Sequence, residues 1–142
     1  MKKLIFILTM AGLISSCSDP KMEKIDSLKD ECISIHDEVM PRMGEMVELS
    51  SGIKEIRIKL DSDTSDSAHL VRIALVKKVE QLDSAHEAMM VWMNDYIPDY
   101  EAEHSSDESI AFYEEQKRSI TEVKDIMLKS IEDGKETLDR AK

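Results

Sequence analysis

Apolar residues step along most of this chain by threes and fours. Ile25, Leu28, Cys32, Ile35 and Val39 keep that rhythm, and Met46, Leu49, Ile53, Ile56 and Leu60 resume it after a polar interruption at Arg42. A seam of this kind, sustained over about five heptads, predicts a long packed helix. Pro41 removes a backbone donor inside it and predicts a kink or break near Glu38 to Pro41. Gly44 and the Ser50-Ser51-Gly52 group weaken the same helix. The polar run Asp61 to Ser67 is rich in capping residues and predicts the first loop. A second helix is expected from about Ser67 to Tyr96, with Leu75, Val79, Leu82, His86, Met89, Met93 and Tyr96 on its seam and Pro98 as its stop. After a second loop, Asp99 to Ser106, either Ser106 or Asp107 can cap a third helix. That helix carries Ile110, Tyr113, Ile120, Val123, Met127, Ile131 and Leu138 on one side.

No stretch shows the alternation of a strand. Three long helices joined by short polar loops predict an all-α fold, an antiparallel three-helix bundle over residues 24–142. The competing architecture is an extended coiled coil that dimerises or trimerises, which a charged content of 35% allows.

The first 16 residues break the pattern. Lys2 and Lys3 precede an apolar run from Leu4 to Leu13, and the small residues Ser15 and Ser16 lead to Cys17. This is the anatomy of a removable export signal, and the run is far shorter than the ~20 residues of a membrane-spanning helix. Ile14-Ser15-Ser16-Cys17 resembles a bacterial lipobox, which implies lipidation of Cys17 and a short tether over residues 17–23. The expected address is the cell envelope, through a lipid anchor on the periplasmic face or the cell surface of the outer membrane. An ordinary signal with an incidental cysteine is the plainer alternative. With Cys17 lipidated, Cys32 has no partner for an internal disulfide.

Charge narrows the function. The chain carries 19 basic and 30 acidic side chains, and removal of residues 1–16 takes Lys2 and Lys3 with it, leaving a net charge of −13. Nucleic acid is excluded as a partner, because phosphate binding needs clustered cations. The acidic clusters at Glu101 to Glu103 and Asp107-Glu108 read as solvated surface.

The candidate chemistry lies in two windows that share the spacing His-x3-Met-x2-Met. One holds His36, Met40 and Met43, followed by Met46; the other holds His86, Met90 and Met93, with Met89 between. Spacings of four and seven place each set along one helix face. Counted outward from the first loop, position 36 falls level with about 91, so each His of one helix meets the Met pair of the other in the middle of the bundle. Thioether sulfur with imidazole suits Cu(I), because thioethers bind soft ions and hold Zn²⁺ poorly. The expected metal ligands are therefore His36, Met40, Met43, His86, Met90 and Met93, with Cys32 one turn before His36, and the candidate cofactor is copper(I). The plain alternative reads the Met stripes as flexible core filler, with His86 bonded to Tyr113 or Gln116.

Other chemistries fit less well. A di-iron bundle needs Glu-x-x-His on two helices, and here Glu101-x-x-His104 falls in a loop. A haem between His36 and Met90 lacks large apolar residues to wrap it. No nucleophile triad or phosphate loop stands out, so no enzymatic activity is expected. The phrases HDEVMPRMGEM, LDSAHEAMMVWM and YEEQKRSITEVKDIMLKSIEDGKETL, behind a lipobox, resemble small Bacteroidota-type lipoproteins commonly labelled "viral A-type inclusion protein". The label names a coiled-coil similarity. The resemblance implies a lipoprotein address and a helical fold, and it implies no activity. The expectation is a non-enzymatic envelope lipoprotein that binds Cu(I), or alternatively a structural or partner-binding bundle whose envelope partner the sequence does not name.

Overall fold

A computed structural model describes residues 19–141. The expected signal peptide, the lipidated Cys17 and the first residues of the tether lie outside the described residues. The described chain is all-helical: α1 spans Pro20–Val39, α2 Met43–Lys59, α3 Asp66–Asp95 and α4 Ser106–Asp139. Short 3-10 turns occupy Met40–Arg42 and Tyr100–Ala102.

Local chemistry sets each boundary. α1 begins inside the segment expected to be tether, because Asp19 accepts a hydrogen bond from the Lys21 amide and Pro20 takes the first helical position. The break at Pro41 is confined to the single 3-10 turn, and the backbone stays right-handed from Val39 through Met43. Gly44 and Gly52 do not interrupt α2. Ser65 caps α3 on the Ala68 amide, and α3 ends at Asp95, three residues ahead of Pro98. Ser105, one residue before the expected caps, closes a capping box with Glu108 at the head of α4.

Interhelical contacts give the topology. Lys21 pairs with Asp107, Lys24 with Glu114, Glu38 with Lys124 and Glu45 with Lys135, so α4 runs parallel to α1 and then α2. Lys78 pairs with Asp133, and the Trp92 indole donates to the Gln116 carbonyl, so α3 runs the other way. The main core gathers Cys32, Val39, Met43, Met46, Leu49, Ile53, Leu82, Met89, Ile120, Met127 and Ile131 between these rods. Each large apolar side chain there contributes about 1.5–3 kcal/mol by leaving water.

The upper end is built differently. α3 stops there, and the segment 96–105 takes its place over a second cluster of Ile25, Leu28 and Tyr113, with Tyr96, Tyr100, Ile110 and Phe112 packed against it. Among the described residues no helix is long and apolar enough to cross a membrane.

Candidate functional site

The His and Met windows lie on either side of one groove. The His36 ring stacks on Trp92 with centroids 5.7 Å apart and an interplanar angle of 27°. Residue 36 is thus level with 92, one residue from the register that counting from the loop predicts. Lower down, Ser50 donates to Asp83 at 2.8 Å, and Lys54 reaches the same carboxylate at 3.2 Å. Asp83, His86, Met90 and Met93 are spaced by three, four and three, so they share a face of α3. Because Asp83 touches α2, that face looks toward the α1–α2 rod.

Depth separates the six candidates. Met43 is buried, with Met46 and Met89 beside it in the core cluster, while Met90 and Met93 are 44% and 36% exposed. Met40 and His86 are half-buried, and the His36 side chain is 20% exposed. The four thioethers therefore do not converge in the middle of the bundle as the spacing led one to expect. The reason is angular. Ala85, Met89 and Trp92 form the buried stripe of α3, and His86, Met90 and Met93 each follow one of them by 100°, which carries them to the groove edge.

His36 has a defined ring orientation. Its Nδ1 lies 2.9 Å from Asp37 Oδ1. A carboxylate can only accept, so Nδ1 donates, and Nε2 is the nitrogen left for another partner. Among the described residues Nε2 makes no hydrogen bond. Trp92 holds the other side of the arrangement, stacked in turn on Tyr96 at 4.9 Å and tied by its Nε1 to the Gln116 carbonyl at 3.1 Å. A carboxylate on one imidazole nitrogen and a free second nitrogen is the usual state of a metal-ligating histidine. His86 hydrogen-bonds to neither Tyr113 nor Gln116, and its imidazole has no protein partner among the described residues.

Cys32 does not extend this set. It is fully buried, its thiol donates to the Tyr113 carbonyl at 3.7 Å, and burial pushes its pKa up to about 11. A thiol held protonated is a poor ligand. Among the described residues no three His, Cys, Asp or Glu side chains are grouped to hold a metal ion, so any centre here depends on thioethers.

No family model, curated protein or solved structure matches this chain.

One cluster has no counterpart in the sequence pattern. The Tyr113 hydroxyl lies 2.7 Å from Glu101, 2.9 Å from the Pro98 carbonyl and 3.1 Å from the Tyr100 amide, and Lys29 reaches Glu101 at 2.5 Å. Burial pushes the Glu101 carboxyl up, but hydrogen bonds from Lys29 and Tyr113 outweigh it and hold the group below the usual carboxylate range. Burial likewise opposes the charge on Lys29, and the bond to Glu101 more than offsets it, so Lys29 stays above its ordinary value. Burial raises Tyr113 and pushes Tyr96 up to about 12. All four groups keep fixed protonation states across neutral pH, which suits a clasp on segment 96–105 and not acid–base chemistry.

Proposed function

We propose that this chain is a non-enzymatic, lipid-anchored envelope protein, a three-helix bundle whose groove between α1–α2 and α3 binds Cu(I). The single observation that carries the reading is His36, with Nδ1 on a carboxylate, its ring seated on Trp92 and Nε2 free. Met40 on the same rod and Met90 and Met93 across the groove supply soft donors, and His86 supplies the second imidazole. Met43 lies behind them in the core. Two imidazoles and surface thioethers form a donor set suited to a soft ion. The groove edge is open to solvent, which suits uptake and release more than long storage. The export-signal pattern and the lipobox at Cys17 support an envelope address with a lipid anchor. Thioethers remain competent ligands there, where thiols oxidise.

An anaerobic Cu(I) titration of the full chain against a competing chelator tests this, with Cys17→Ser in every sample to remove the leader thiol. The expected result is one tightly held ion per chain. His36→Ala and the double variant Met90→Leu/Met93→Leu should each weaken it at least tenfold while helicity is unchanged. Unchanged affinity in the His36 variant would remove the site.

A second reading has its own observation. Met43, Met46, Met89 and Met127 all fill the core, as flexible packing residues do. Absence of Cu(I) binding in an intact fold would leave a structural or partner-binding lipoprotein.

A further inference from the structure

The lower end of the molecule, formed by the α2–α3 hairpin, exposes apolar surface on the side of α3 turned away from the core, nearly opposite the buried Leu75. α3 is apolar nearly all round at this level, with six apolar residues among the seven from Leu70 to Val76, a composition that belongs to a buried helix. Leu70 is 67% exposed, Ile73 43%, Val76 40% and, on α2, Ile58 58%. On another side of the same end, an open cavity of about 570 Å³ lies between α2, α3 and the end of α4, lined by Ile56, Leu60, Val71, Leu75, Thr137 and Arg140.

The charge of this end differs from that of the rest. Residues 54–80 and the end of α4, 132–141, together hold eight basic and nine acidic side chains, whereas the whole chain holds 19 and 30. Nearly all of the net negative charge therefore lies elsewhere, and this end is where two copies of the chain can approach with little repulsion.

The exposed face is also complementary to itself. Asp66, Leu70, Ile73 and Lys77 are spaced by four, three and four and share one side of α3. Asp66 and Lys77 are exposed and make no ion pair among the described residues. Laid antiparallel against its own duplicate and centred between Val71 and Arg72, this face sets Asp66 against Lys77 and Leu70 against Ile73, twice over by symmetry. That is the self-matching pattern an isologous two-fold interface requires. A lipid surface suits the face less well, because Asp61, Asp63 and Asp66 stand at the tip and would meet anionic headgroups.

We infer that the lower end of α3 is an interface between two copies of this chain, paired antiparallel through Leu70 and Ile73 and flanked by Asp66–Lys77 ion pairs. The interface stands apart from the groove of the proposed metal centre and does not depend on it.

Zero-length carbodiimide cross-linking of the full chain in mild detergent, followed by peptide mass spectrometry, tests it directly. Asp66 and Lys77 are separated by about 16 Å along one helix, so a link between them forms only between chains. Lys78 and Asp133, 2.8 Å apart within the chain, supply the internal control. The expected product is an Asp66–Lys77 link confined to the dimer band. Leu70→Glu should reduce the dimer at least tenfold with helicity kept, since that side chain is exposed. Asp66→Lys or Lys77→Asp alone should weaken it, and the two together should restore it with the roles exchanged. A dimer band without the link, or no dimer while the control link forms, overturns the inference. Binding of monomer to phosphatidylglycerol vesicles that is lost in Lys77→Asp, with no Asp66–Lys77 link, overturns it in favour of a lipid surface.

Discussion

Tyr113 sits on an apolar stripe, yet its hydroxyl does as much for the upper end as its ring. The ring is fully buried beside Ile25 and Leu28, while the oxygen gathers Glu101, the Tyr100 amide and two carbonyls of the segment that replaces α3. One phenol proton serves these acceptors, and Glu101 at 2.7 Å is the best placed. Tyr113→Phe keeps the packing and orphans the Tyr100 amide and part of the Glu101 carboxylate. The expected cost is about 1–3 kcal/mol, with amide exchange speeding up across residues 96–105 and not in α2. Equal exchange throughout would mean that the clasp is ornamental. The same residue shows a limit of reading side chains from periodicity. A tyrosine on a seam announces burial of its ring, but its hydrogen-bond partners are mostly backbone groups of a loop whose path the pattern does not specify.

At the level of the helix, the two kinds of glycine in this chain separate propensity from packing. Gly44 lies in the first turn of α2 with room for a methyl group, since nothing lies within 4 Å of its ideal Cβ position. Gly134 lies in α4, where the same atom would meet Leu49 and Leu82 side chains at 3.3 Å. Gly44→Ala is expected to stabilise the protein by about 0.5–1 kcal/mol, through lower backbone entropy in the unfolded chain. Gly134→Ala should gain less or lose stability, because two core leucines must shift to admit the methyl. Urea denaturation of the two variants side by side checks the difference in sign or size. The seams of α1, α2 and α4 were legible in the spacing: Ile25, Leu28, Cys32, Val39, Met46, Leu49 and Ile53 are buried, as are Tyr113, Ile120, Val123, Met127 and Ile131. The seam of α3 was displaced by one position at its upper end. Ala85 and Trp92 are buried where His86 and Met93 were expected. Ala85 is too small to stand out in a hydrophobic count, and Trp92 is placed by its stacking on His36 and Tyr96.

Over the whole molecule, ion pairs, most of them between helices, set how stability responds to acid. Hydrogen bonds from Lys117 to Glu31, from Arg42 to Glu45 and from Lys78 to Asp133 hold these carboxyls below their usual range, and Glu101 joins them through Lys29 and Tyr113. A folded value below the unfolded one means that the stabilisation is fully present above about pH 4, the ordinary carboxylate range, and is lost as pH falls through the lowered folded values. Lys29 and Lys117 are shifted upward, so their share persists at neutral pH and is lost only as pH rises past the ordinary lysine range, about 10.4. The urea midpoint is expected to be nearly flat from about pH 5 to 8 and to fall below about pH 4. Asp133→Asn should lower the plateau and make the acid fall shallower. An equally steep fall in that variant would assign the acid response to other carboxylates.

Periodicity and local chemistry carried the elements and their order. The steps of three and four announced long helices, Pro41 marked the break between α1 and α2, and the capping residues near 65 and 105 marked the starts of α3 and α4. A loop of fixed length also fixed the register closely enough to set residue 36 level with the upper end of α3. Which side of α3 turns inward was settled by packing. A single step of 100° separates Met89 in the core from Met90 at the groove edge, and one residue of phase is less than a pattern of mixed apolar residues can resolve. Packing also decided that His36 stacks on Trp92, that Cys32 is shut away as a thiol, and that Leu70 and Ile73 face away from the core. Each of these depends on contacts between segments far apart in the chain, whose geometry comes from packing three rods together.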